Sequence, residues 1–158
     1  VAFSPFPDTF YLRVLETNSQ ISGGYFMLQD QSDLKHMIVQ LYVLGALAGS
    51  EGLRAHIYAS SAMETPVASS DWFEVSSIGS YSPNWYGRVV FDFDSVPLNA
   101  NVNYYVGFQT QNYTRPDADT TFLGLKLDWY PEINNGTSDT ERGVSMVLLG
   151  EEDRGRSR

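Results

Sequence analysis

The sequence predicts an all-β fold of about nine strands, arranged as two antiparallel sheets that face each other across an apolar core. Three observations carry this reading. Apolar and polar residues alternate with period two almost throughout. The breaks between alternating runs are rich in Gly, Pro, Asn, Asp and Ser, and no run carries the stripe of an amphipathic helix. With 158 residues, 42% of them hydrophobic, the chain suits one domain with a sizeable core, placed over residues 1–150. A closed barrel is the alternative use of the same strands.

The predicted strands run in order as "TFYLRVLE" (Thr9–Glu16), "GYFMLQ" (Gly24–Gln29), "KHMIVQLYVL" (Lys35–Leu44) and "LRAHIYAS" (Leu53–Ser60). They continue as "DWFEVSSI" (Asp71–Ile78), "WYGRVVFDFD" (Trp85–Asp94) and "NYYVGFQTQN" (Asn103–Asn112). "TTFLGLKLDWY" (Thr120–Tyr130) and "RGVSMVLLG" (Arg142–Gly150) complete the set. Turns are expected at "SGG", "QDQSD", "GSEG", "SYSPN", "DSVPLNAN", "TRPDAD" and "PEINNGTSD". In "DSVPLNAN", Pro97 denies the ladder a donor, and Asn99 and Asn101 suit turn backbone, so this stretch reads as a corner between two strands.

Alternation also assigns faces. Val89, Phe91 and Phe93 share one face, against Arg88, Asp92 and Asp94. Tyr104, Val106 and Phe108 oppose Asn103, Tyr105, Gln109 and Gln111. Leu123, Leu125, Leu127 and Trp129 oppose Phe122, Lys126, Asp128 and Tyr130. Each large side chain buried this way contributes about 1.5–3 kcal/mol, enough for three such rows to hold two layers together. The last residues, 151–158, "EEDRGRSR", mix three acids with three arginines and lack an apolar anchor. They read as a charged tail, either solvated or a docking arm.

Charge and composition narrow the partners. Ten basic residues against 19 acidic ones give a net charge of −9, the wrong field for displacing counterions from a polyanion, so nucleic acid is not expected. The most apolar run, "MIVQLYVLGALAG", is too short to span a bilayer and is interrupted by Gln40, so no membrane span is expected. "VAFSPFPDTF" lacks the basic start of a signal peptide, although a processed leader leaves no trace. There is no cysteine, which leaves the redox compartment open.

The region from Lys35 to Gln111 resembles the jelly-roll β-sandwich modules of phage structural proteins and bacterial surface proteins. The likeness rests on "HMIVQLYV", the glycine link "GSEG", a strand ending Ile-Tyr in "LRAHIYAS", and "VVFDFDSVPLNANVNYYVGF". Where such modules commonly carry Gly in the last turn, this chain has Asn101, which also tolerates unusual backbone angles. The resemblance implies a jelly-roll-like sandwich and a role in surface attachment, assembly or glycan binding. It carries no catalytic residue across.

Motifs for chemistry are sparse. Neither histidine, His36 or His56, has a second histidine or a cysteine at metal-ligand spacing; each is a binding-face or an ordinary strand-surface residue. "GVSMV" lacks the closing glycine of the serine-hydrolase pattern, and phosphate-loop, dinucleotide and E-x-D-x-x-E patterns are missing. "DADTTFLGLKLD" begins Asp117-x-Asp119 and ends at Asp128, but Phe122 stands where a calcium loop needs glycine. Asp92 and Asp94 share a strand face, so a structural calcium near Asp92, Asp94 or Asp117 is the one cofactor considered, against simple exposed acids. "NYT" at Asn112 and "NGT" at Asn135 match the glycosylation pattern, which matters only in a eukaryotic secretory setting.

Sugar recognition uses aromatic faces for C–H surfaces and planar amides or carboxylates for hydroxyls. Tyr105, Gln109 and Gln111 form one candidate glycan row, Lys126, Asp128 and Tyr130 another, and Arg54, His56 and Tyr58 a third. Tyr81, Trp85 and Tyr86 add aromatics near a loop, with Trp85 equally suited to the core. Polar outer rows are also what any half-solvated sheet shows. The expectation is a non-enzymatic structural or accessory module on an assembled surface, such as a capsid decoration or fibre-associated protein. Its partners would be other copies of itself and capsid- or fibre-type proteins, on a virion surface or outside the cell. The alternative is a carbohydrate-binding module of an extracellular protein.

Overall fold

A computed structural model of the chain describes residues 11–15, 18, 20–45, 47, 49–79, 84–113, 122–129, 142–144 and 146–150. Strands β1 (Tyr11–Val14), β2 (Gln20–Met27), β3 (Ser32–Leu44) and β4 (Gly52–Tyr58) are followed by the two-residue strands β5 (Ala68–Ser69) and β6 (Phe73–Glu74). A 3-10 turn, Val75–Ile78, leads to β7 (Asn84–Leu98), β8 (Asn103–Gln111), β9 (Phe122–Trp129), β10 (Arg142–Val144) and β11 (Met146–Gly150). No α-helix occurs among the described residues. The predicted tail, 151–158, lies outside them.

The strands pair as nested hairpins. β3 pairs with β7, β2 with β8, β1 with β9, and β4 with β5 and β6, every pair antiparallel. These pairs then segregate into two sheets. The first runs β1-β9-β3-β7, and the second runs β2-β8-β4 with β5 and β6 on the outer side of β4. This order, a long hairpin rolled over itself, is that of a jelly roll, and the two separate layers make it a sandwich and not a closed barrel. β10 pairs with β9, and β11 pairs with the first half of β3 on the side away from β7.

The predicted alternation becomes the core. Met37, Val39, Leu41 and Val43 from β3, Val89, Phe91 and Phe93 from β7, and Leu123 and Leu125 from β9 are all buried. They meet Ile21, Phe26, Leu53, Ala55, Ile57, Tyr104, Val106 and Phe108 of the second sheet. Phe91 and Phe108 touch with ring centroids 5.9 Å apart, joining the layers at mid-core. Gly23 is needed there: a β-carbon would stand 2.4 Å from the Phe108 ring, so the bare backbone makes room for it.

Three local expectations are corrected. Asp71–Ile78 is not one strand: after β6 the chain turns, because Val75 N–H donates to the Glu51 carbonyl at 2.9 Å and its side chain plugs the core. Pro97 does not mark the corner. It sits within β7, an edge strand where a missing donor is tolerated, and the turn follows at Asn99–Val102. Asn101 adopts φ +62° there, its N–H bonded to the Leu28 carbonyl at 2.8 Å, as expected of an Asn in a left-handed position. Phe122, assigned to the polar row of β9, is only 7% exposed. It stands on the outer face of the first sheet, beside the fully buried Tyr42, which stacks on Tyr86 at 4.0 Å. Burial, with the Tyr86 hydroxyl adding to it, pushes the Tyr42 hydroxyl far above the usual phenol range.

Candidate functional site

The outer face of the second sheet brings two predicted rows side by side. Antiparallel register sets Arg54 opposite Gln109, His56 opposite Gly107, and Tyr58 opposite Tyr105. On the far side of β8, Tyr25 stands opposite Tyr105 and Gln20 opposite Gln109. Position 107 has no side chain, so His56, Gln20 and Gln109 converge over it. The Gln109 side-chain carbonyl accepts from Arg54 Nε at 3.1 Å and pairs with His56 Nε2 at 2.8 Å. The Gln109 oxygen can only accept, so His56 Nε2 carries the proton, and Nδ1 accepts from the Ser69 hydroxyl at 2.7 Å. The Tyr58 hydroxyl donates to Gln20 Oε1 at 2.6 Å, and the Arg54 guanidinium lies 4.5 Å over the Trp72 ring.

Much of this network is covered. Met63, held at φ +55° in the link between β4 and β5, comes so close that a β-carbon on Gly107 would sit 2.8 Å from its methyl. His56 is 6% exposed. Burial lowers its pKa below the ordinary 6.5, the Gln109 bond opposes this, and the Arg54 charge reinforces it. The His56 ring, the Gln109 carbonyl and the Tyr58 hydroxyl are thus spent on partners within the protein, Tyr58 on Gln20, which rigidifies the face. What this face still offers to a partner is the half-buried Tyr25–Tyr105 pair, centroids 5.7 Å apart, with Gln111 at the end of the same row.

The other predicted residues do not join this cluster. Lys126 and Asp128 belong to β9 in the first sheet, so the Tyr105 and Lys126 rows occupy different layers of the sandwich. Tyr130, Tyr81 and Asp117 lie outside the described residues. Asp92 and Asp94 are exposed on β7. Asp92 Oδ1 contacts His36 Nδ1 at 2.8 Å, and its backbone carbonyl accepts from Asp71 N–H at 3.0 Å, tying the two sheets together at this edge. Among the described residues, no group of three or more His, Asp or Glu side chains is arranged to hold a metal ion.

The first sheet carries a feature that sequence reasoning missed. Val90 of β7, Ile38 of β3 and Val147 of β11 are in register on its outer face, with Leu149 one step along beside His36. Val90 is 45% exposed, Val147 54% and Leu149 37%. A half-solvated sheet normally places polar residues there. The signal was present in "VVFDFD", where Val90 breaks the polar side of the alternation, but only register shows that β11 extends it.

The sequence matches no protein-family model and no curated protein.

Proposed function

We infer that the protein is a non-enzymatic β-sandwich module that packs into an assembled surface, as a capsid decoration or fibre-associated virion protein does. The observation that carries this is the apolar row Val90–Ile38–Val147 on the outside of the first sheet, where water would otherwise be faced. Supporting it are the absence of catalytic patterns from the sequence and an acidic balance that suits a solvated outer surface. The mechanism is burial of this face against neighbouring proteins of the particle, at a virion surface or otherwise outside the cell. The test is fractionation and imaging of the native source. The protein should sediment with particles and appear as density upon them, and Val90→Lys should release it. Recovery solely as free protein would defeat the reading.

A second reading, a carbohydrate-binding module, is favoured by the exposed edge of the Tyr25–Tyr105 pair, with Gln111 farther along the same strand face. Saturable binding to a glycan array, lost on Tyr105→Ala with the fold intact, would support it. An array without signal removes it.

A further inference from the structure

We propose that the outer face of the first sheet is a self-complementary surface whose partner is a second copy of this chain. The proposal deepens the assembly reading by naming the occupant of that face.

Along β7, Val90 is flanked at two residues on either side by Arg88 and Asp92, all three exposed. Across the sheet, Val90 is level with Ile38 and Val147, Arg88 with Gln40, and Asp92 with His36. A two-fold axis laid along the Val90–Ile38–Val147 row, in the plane between two stacked copies, maps each of these three residues onto itself. The same rotation reverses the strand direction. It therefore sets Arg88 of one copy over Asp92 of the other, and Gln40 over His36, twice by symmetry. Such an isologous contact has an apolar centre, two charge pairs of correct sign and a closed symmetry that does not propagate into fibres. A face carrying like charges on both sides of Val90 would repel its own copy under this operation.

Other routes to self-association are less open. The edge of β7 is already engaged where Asp71 N–H bonds to Asp92, and Asp92, Asp94 and Pro97 discourage strand addition along it. The sheet face is thus the more available surface. The row is only three strands wide, so the interface is small and the dimer weak and concentration-dependent.

The test is equilibrium sedimentation of the wild-type chain over roughly a hundred-fold concentration range, with circular dichroism to confirm that each variant is folded. A monomer–dimer equilibrium is expected, abolished by Val90→Lys. Arg88→Glu and Asp92→Arg, made singly, should each weaken dimerisation about ten-fold or more, a loss of about 1.4 kcal/mol. The exchange of both in one chain should recover most of it, because each pair re-forms with reversed polarity. That recovery also keeps the test decisive if Val90→Lys fails to fold. A monomer at every concentration, a dimer indifferent to Val90→Lys, or a double exchange no better than the singles would overturn the proposal. A wild-type monomer that still sediments with particles defeats this inference and leaves the assembly reading standing; a dimer found only free does the reverse.

Discussion

Phe108→Ala is expected to lower the unfolding free energy by about 3–5 kcal/mol, measured by urea titration. The ring is fully buried on a central strand, with β2 on one side and β4 on the other. It contacts Phe91 of the opposite sheet and occupies the space that Gly23 leaves by having no side chain. Neither neighbour can fill the gap: Gly23 has nothing to extend, and Phe91 is held in its own layer. The site therefore collapses poorly, which places the cost in the upper part of the range for large-to-small changes. A loss below about 1 kcal/mol would mean that the two layers do not meet at this ring.

The second large effect concerns the buried polar face. Gln109→Leu removes the oxygen that Arg54 and His56 share and leaves covered donors without an acceptor, at a cost of about 1–3 kcal/mol. The same histidine sets a pH dependence. Its folded pKa lies below its unfolded value of 6.5, so at intermediate pH the unfolded chain binds the proton more readily. The stability contributed by neutral His56 is complete above 6.5 and is lost as pH falls from there through the folded pKa. Urea midpoints measured from pH 7.5 down to 5 should therefore fall less steeply in His56→Gln than in the wild type. Parallel profiles would show that His56 does not titrate in this window.

Alternation gave the faces of most strands because each side chain's direction is a local matter. Tyr104 and Tyr105, adjacent in sequence, went to core and surface as their positions demanded. Partners were beyond its reach. The Tyr105 and Lys126 rows look alike as strings, and only strand order puts them on different layers. His56 read as a surface residue because its strand phase is outward. Part of what closes this face is Met63, which reaches over the neighbouring Gly107 from a link with no periodicity to read. Phe122 went astray for a related reason: an outer position can be buried where large aromatics such as Phe122 and Tyr42 sit beside Gly124. The Val90 row needed the register of β11, which leaves the sequence as an unremarkable C-terminal strand.

The nested pairing has a consequence for how the chain is made. Tyr11 finds its partner at Leu127, so the first layer lacks its β9 member until almost everything between them has been synthesised. Closing so wide a span costs entropy before any reward arrives, which puts such topologies among the slower folders, on the order of milliseconds to seconds. Until then a nascent chain leaving the ribosome carries greasy, half-paired segments, and their protection in that interval falls to chaperones or to the speed of translation itself.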